Sequence, residues 1–216
     1  MTFDPLGWLT PFVAEERLHR LIRLAMALVL VGFLVLRISE YHRYALKPLW
    51  FVETLLFVVL LMAVLGRVVP VDRSRGVRDI VVPLVGAVLP FALLLSPPSP
   101  AVLANRVIFF GALWEMTAAT TLTVAGLWSL RRSFSITVEA RSLVTAGPYR
   151  FVRHPVYLGE ILAAAGVTII RFSPANALIL ILFVAVQLFR ARREEEKLSR
   201  TFPAYRAFAA QSRWFW

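Results

Sequence analysis

Of the 216 residues in the chain, 59% are hydrophobic and 17% charged, against about half and about a quarter in ordinary soluble domains. That balance excludes a soluble globular domain and indicates a polytopic membrane protein. With no cysteine, disulfides, thiolate catalysis and cysteine-ligated zinc are excluded too, while the redox compartment stays open.

The net charge of +11 invites a nucleic-acid reading. The basic residues lie between apolar runs rather than on one soluble face, so membrane topology explains them and no nucleic-acid partner is expected. Residues 1–18 carry early charges and no small-residue cleavage site. They read as an interfacial lead-in with Trp8 and Phe12 at headgroup level, not a cleaved signal peptide.

Segment one covers about 21–38, with Arg23 one turn inside it and able to snorkel; segment two covers 49–69, with Glu53 near its start. Segment three, 80–95, contains Pro83 and Pro90 and is expected to kink. Ser96-Pro97-Pro98-Ser99-Pro100 cannot continue a helix. Segment four, 103–130, is the long one. Its Asn105, Glu115, Thr117, Thr120, Thr121 and Thr123 exceed what lipid contact tolerates, so they are expected to face protein or a cavity. Glu115 and its threonines read as interhelical hydrogen-bonding groups before ligands. Phe134 to Val138 alternates and reads as extended or interfacial.

Segments five (156–170) and six (175–189) are about fifteen residues each, short of the roughly twenty needed to span. Arg171-Phe172-Ser173-Pro174 turns between them, giving a helical hairpin whose two ends return to one side. If all six segments cross, 19 of the 24 Lys and Arg lie on the side of both termini; only Arg37, Arg43, Lys47, Arg106 and Arg171 lie on the other. The positive-inside rule then places both termini and the hairpin ends in the cytoplasm, at the inner or plasma membrane if the cell is bacterial. The expected fold is an all-α integral membrane protein of five to six transmembrane segments. Residues 1–130 form an N-terminal set of four segments, and 131–216 form a region with a polar motif, the hairpin and a C-terminal cytoplasmic helix.

The chemistry concentrates at the hairpin ends. Gly147-Pro148-Tyr149-Arg150-Phe151-Val152-Arg153-His154-Pro155-Val156-Tyr157-Leu158-Gly159-Glu160 precedes it, and Arg190-Ala191-Arg192-Arg193-Glu194-Glu195-Glu196 follows. Polar groups of both signs beside hydrocarbon are costly unless they face a cavity or ligand. No glycine pair fits a GxGxxG or Walker loop. His19, His42 and His154 are far apart and there is no HExxH, so no metal site is expected. Glu53 and Glu115 could serve proton transport, but no inverted repeat is visible.

Plainer roles exist for each residue. Arg150 and Arg153 suit positive-inside anchors, and Tyr149 and Tyr157 suit interfacial aromatics. His154 suits a turn before proline, and Pro155 suits the first position of a helix. Gly159 suits either helix packing or close approach of a cofactor. Glu194 to Glu196 suit a solvated helix end, with Arg190–Glu194 and Arg192–Glu196 at i,i+4 spacing.

Arg153-His154-Pro155-x-Tyr157-x-Gly159, followed after the hairpin by Glu194-Glu195, resembles the signature shared by isoprenylcysteine carboxyl methyltransferases and bacterial phospholipid methyltransferases. Leu143-Val144-Thr145-x-Gly147-Pro148-Tyr149-Arg150 ahead of it, and Leu198, Phe202-Pro203-x-Tyr205 and Phe208 behind it, extend the resemblance over roughly 140–212. It implies S-adenosylmethionine held between the Arg-His-Pro motif and the Glu pair, over a lipophilic substrate from the bilayer. The activity it implies is most like isoprenylcysteine carboxyl O-methylation. Implied cofactor contacts are Tyr149, Arg150, Arg153, His154, Pro155, Tyr157, Gly159, Glu194 and Glu195; Glu195 and Arg213 are implied in catalysis. The chemistry is compatible, because the cofactor's carboxylate suits arginine while its ammonium and ribose hydroxyls suit carboxylates. An amine acceptor would have to be neutral, making Glu194 or Glu195 the base candidate; a carboxylate acceptor needs no base. One departure is that the arginine usual after the second aromatic falls at Gln211, with Arg213 two positions on. Phospholipid or other lipid-amine N-methylation is the alternative within the class. An NADPH-dependent reductase-like protein and a non-catalytic membrane scaffold are the alternatives outside it.

Overall fold

A computed structural model describes residues 15–66, 78–130 and 142–213. Phe134 to Val138 fall outside the described residues. The fold is all-α: α1 (Glu15–Ser39), α2 (Lys47–Leu65), α3 (Arg78–Val88), α4 (Pro100–Ala104), α5 (Arg106–Leu130), α6 (Pro155–Ile170), α7 (Pro174–Thr201) and α8 (Tyr205–Gln211). Of the described helices, α2, α5 and α7 are long and apolar enough to cross a membrane, and Val81–Leu95 and Pro155–Ile170 are shorter apolar stretches. The protein is an all-α membrane protein.

Helix α5 is the axis of the bundle, with α2 on one flank and α6 on another. Val59 of α2 packs with Val124 and Leu127 of α5 and Val156 of α6; Leu49 of α2 packs with Leu113 and Met116 of α5. Glycines set the α5–α6 approach. A methyl group on Gly126 would come within 2.8 Å of Val156 Cγ2, and one on Gly159 within 2.6 Å of the Ala119 carbonyl and 2.9 Å of the Thr123 nitrogen. Without side chains at these positions the two backbones can lie in contact, the usual device where helices associate in lipid.

Two expectations from the sequence change here. Segment four does not run unbroken from Leu103. Asn105 leaves the helical region and its side-chain oxygen accepts from the Val107 and Ile108 amides at 3.1 and 3.2 Å, capping α5. It is exposed, so it faces neither cavity nor protein. The second arm of the hairpin is also far longer than fifteen residues. Helix α7 runs 28 residues without a break, carrying the Glu run on the same rod as the apolar stretch.

Pro83 is accommodated inside α3, and at Pro90 the chain tightens into a 3-10 helix, Leu89–Leu95. That segment is tied to the α6–α7 turn. Asn176, fully buried, donates to the Leu93 and Arg171 carbonyls at 3.0 and 2.8 Å, and its own oxygen accepts from the Ser96 hydroxyl at 3.1 Å. Arg171 donates to the Leu94 and Ser96 carbonyls. These bonds supply partners to carbonyls that would otherwise end unsatisfied at the bundle's edge.

The threonines of α5 divide. Thr117, Thr120 and Thr123 are buried and Thr121 is exposed, against the expectation for it; Thr117, Thr121 and Thr123 each donate to the carbonyl four residues back on their own helix. Glu115 is not the interhelical hydrogen-bonding group expected. Both carboxylate oxygens are buried with no hydrogen-bond partner among the described residues, in the space that Gly166 leaves open.

Candidate functional site

The polar motif begins at a 3-10 turn, Gly147–Arg150, which only glycine can open: Gly147 has φ 63, and a side chain there would collide with the Ser129 hydroxyl. The turn buries Tyr149. The chain then runs extended through Val152, which pairs with Arg213 in an isolated parallel bridge. The Arg153 amide donates to the Arg213 carbonyl at 2.8 Å and the Arg213 amide to the Phe151 carbonyl at 3.1 Å. His154, the non-helical residue that Pro155 requires before it, sits at the start of α6 and is 4% exposed. One helical turn on, the Tyr157 ring stacks on the His154 ring at 5.6 Å.

Helix α7 brings the carboxylates. Arg153 Nη1 and His154 Nε2 both lie 3.0 Å from Glu195 Oε1, and the Tyr157 hydroxyl donates to Glu194 Oε2 at 2.9 Å. Glu196 turns outward to Arg193 at 2.7 Å. The pair facing the motif is therefore Glu194-Glu195, and the partner of Glu196 is the arginine three residues back rather than Arg192. The Tyr205 phenol, from α8, is buried beside Glu195 and Arg153; burial, and then the Glu195 charge, push its ionisation well above the usual phenol range. Burial, and then the Glu194 charge, do the same to Tyr149. Both phenols are thus uncharged donors at neutral pH.

A cavity of about 720 Å³ opens below this cluster, within the range of small-molecule sites. Tyr149, Arg153, His154, Tyr157, Glu194 and Tyr205 line its polar part; Phe33, Phe57, Phe91, Val167 and Phe183 line an apolar part running between the helices. A second, more open hollow of about 490 Å³ lies on the outer side of Glu195, with Arg153, Arg192 and Arg206 in its wall.

The structure brings together Tyr149, Arg153, His154, Tyr157, Glu194 and Glu195. It does not bring in the other residues singled out from the sequence. Arg150 is exposed, its guanidinium 6.0 Å from the Phe151 ring. Pro155 and Gly159 lie in the α5–α6 contact, where packing alone accounts for both. The Arg213 side chain is exposed and outside both cavity walls, and what it contributes is backbone pairing that fixes Phe151 to Arg153. The site also contains groups that residue-type reasoning passed over. Gln187, fully buried, donates to Glu160 Oε2 and accepts from Arg190 Nη1 at 2.8 Å; the Arg190 guanidinium sits 4.8 Å over the Tyr157 ring and 4.0 Å from Glu160. Their signal was available as polar residues at 160, 187 and 190 inside otherwise apolar helices.

The geometry defines a membrane protein with a mixed-charge site at the head of a cavity whose deeper part is lined by apolar side chains. Residues 100–204 match the family model described as phospholipid methyltransferase. The match runs from α4 to the end of α7 and so contains the Arg-His-Pro motif and the Glu pair. That match supports a membrane methyltransferase of the phospholipid and isoprenylcysteine type. No curated protein matches the chain.

Proposed function

We propose that the protein transfers a methyl group from S-adenosylmethionine to a lipophilic acceptor that reaches the site from the bilayer. The observation that carries this reading is the continuity of the cavity, which joins the cluster of Arg153, His154, Tyr157 and Glu194 to an apolar channel lined by Phe57, Phe91 and Phe183. A donor and a lipid acceptor can meet there with water excluded.

The residues fit the cofactor's chemistry. Arg153 Nε is buried and has no hydrogen-bond partner among the described residues, so a donor is available for a carboxylate. Glu194 is bonded by a neutral phenol, which leaves its second oxygen for an ammonium or ribose hydroxyls. Glu195 draws Arg153 and His154 to a single oxygen and fixes their orientation. When bound, S-adenosylmethionine supplies an activated methyl group, so the protein's task is alignment and exclusion of water. The cavity surrounds that point with Tyr149, Tyr157 and Tyr205, whose phenols bring hydroxyl donors without adding charge.

With both termini cytoplasmic by the positive-inside rule, the motif opens toward the soluble cofactor pool. Isoprenylcysteine carboxyl methylation, the activity implied by resemblance, leaned on Arg213 to face the acceptor's carboxylate; the exposed position of that side chain weakens this support. The test is incubation of the protein, reconstituted in lipid vesicles, with methyl-labelled S-adenosylmethionine. Label extracted with the lipid phase or a supplied lipid acceptor is expected. Absence of transfer to every lipid class, by folded protein that binds S-adenosylhomocysteine, would refute it.

A further inference from the structure

Three arginines line the cavity, and each faces a carboxylate: Arg37 meets Glu53 at 2.9 Å, Arg153 meets Glu195 at 3.0 Å, and Arg190 stands 4.0 Å from Glu160. The carboxylates differ in what they have left to offer. Glu195 spends one oxygen on Arg153 and His154 together, and Glu194 holds Tyr157. Glu160 is different. Both its contacts, from Gln187 and Arg190, fall on Oε2, while 38% of its side chain is accessible and it lines the cavity. Oε1 accepts no hydrogen bond from any described residue.

Its height in the cavity matters as much. Glu160 stands three residues beyond Tyr157 on α6, about 4.5 Å further along the axis, and the next lining residues on that helix are Ala163, Ala164 and Val167. It is the last ionisable group on α6 before the channel becomes apolar. A lipid whose tail fills the channel puts its headgroup at this level, directly under the polar cluster. Arg190 is engaged there by Gln187 and by the Tyr157 ring, so the group facing the headgroup is a carboxylate.

We propose that Glu160 is the catalytic base on the acceptor side, and that the methylated atom is one that carries a proton to give up, represented by a lipid amine rather than a lipid carboxylate. This rests on the methyltransferase reading above. The acceptor's ammonium first gives a proton to Glu160 Oε1; the neutral nitrogen then forms a bond to the methyl carbon as the carbon–sulfur bond breaks, its electrons staying on sulfur, and S-adenosylhomocysteine leaves. Gln187 and Arg190 hold the carboxylate by its other oxygen so that Oε1 points at the acceptor. This moves the base from Glu194 or Glu195, whose oxygens organise the motif, to a residue one turn deeper.

The experiment compares wild type, Glu160→Gln and Glu160→Asp in mixed micelles, with dodecylamine and phosphatidylethanolamine as amine probes and S-farnesylcysteine as the carboxylate probe. S-adenosylhomocysteine affinity is measured on each variant. Wild type should label an amine probe, Glu160→Gln should lose about 10²-fold or more in turnover with unchanged S-adenosylhomocysteine affinity, and Glu160→Asp should recover part of the rate. Transfer by wild type to the carboxylate probe alone or to none of the three, or turnover in Glu160→Gln within about threefold of wild type, would overturn the proposal. The wild-type probe preference is decisive even if Glu160→Gln fails to fold. A wild type that binds no S-adenosylhomocysteine overturns the methyltransferase reading itself, and this inference with it.

Discussion

Gly159→Ala separates two roles that the motif's glycine was able to play. A methyl at 159 would stand 2.6 Å from the Ala119 carbonyl oxygen and 2.9 Å from the Thr123 nitrogen, and it would also strike the Thr123 hydroxyl. The hydroxyl can rotate away, but the two backbone atoms cannot. Restoring a carbon-to-oxygen contact of about 3.3 Å requires α6 to move from α5 by roughly 0.7 Å. Overpacking of this kind costs about 1–3 kcal/mol. Because His154 and Tyr157 ride on the first turn of α6, a shift approaching 1 Å also carries them off Glu194 and Glu195, which can cost about 10²-fold in rate. Thermal unfolding in detergent, with S-adenosylhomocysteine titration in parallel, should show both a lower melting temperature and weaker binding. Adding Thr123→Ala should recover only part of the loss, since both backbone contacts persist. An unchanged melting temperature with binding abolished would refute the packing argument and return Gly159 to the cofactor's edge.

Other substitutions separate the site's parts. Glu195→Gln removes the charge that Arg153 and His154 share and is expected to abolish S-adenosylhomocysteine binding in calorimetry while the protein stays folded; wild-type affinity would move the site elsewhere. Tyr157→Phe deletes one hydrogen bond to Glu194, and a loss of about 1 kcal/mol in cofactor affinity is expected. Arg213→Ala should leave turnover within about twofold, because that side chain is exposed, whereas Arg213→Pro removes the amide that donates to Phe151 and should lower both stability and turnover. Asn176→Ala strands the Leu93 and Arg171 carbonyls and should lower the unfolding free energy by about 2–4 kcal/mol, read from detergent melting. The ionisations of Tyr149 and Tyr205 are raised above the ordinary value of 10.0. Below that pH both are protonated folded and unfolded alike, so they make stability neither rise nor fall; above it the unfolded chain loses these protons first and stability declines with pH. Tyr149→Phe and Tyr205→Phe should therefore leave the phenolate absorbance of the folded protein unchanged up to about pH 11.

Much of this organisation was legible in the residues themselves. The hairpin followed from two apolar runs around Arg171-Phe172-Ser173-Pro174, and a hairpin returns its ends to one side, so the meeting of His154 with Glu195 followed from it. The length of α7 was not legible, because the apolar pattern stops near Phe189 while helix propensity continues through Arg, Glu and Lys. Asn105 was misplaced for a related reason: inside an apolar window it reads as a buried polar group, whereas its short amide side chain serves better as a cap. The i,i+4 reading of Glu196 failed because surface ion pairs choose among near-equal partners, and Arg193 is one of them. The pairing of Gln187 with Glu160 was not legible, since spacing in sequence does not show which faces of two helices meet. Arg213 lies near the motif by backbone pairing, and a sequence cannot distinguish that from a side chain aimed at a ligand.

Calorimetric titration of the purified protein with S-adenosylhomocysteine, with NADPH as the parallel control, decides whether the cluster of Arg153, His154, Glu194 and Glu195 is a methyl-donor site. Saturable binding of S-adenosylhomocysteine at one site per chain, lost in Glu195→Gln, is expected, with no heat from NADPH. Binding of NADPH alone would identify a reductase on this scaffold, and binding of neither by demonstrably folded protein would leave a membrane scaffold that keeps the fold without the reaction.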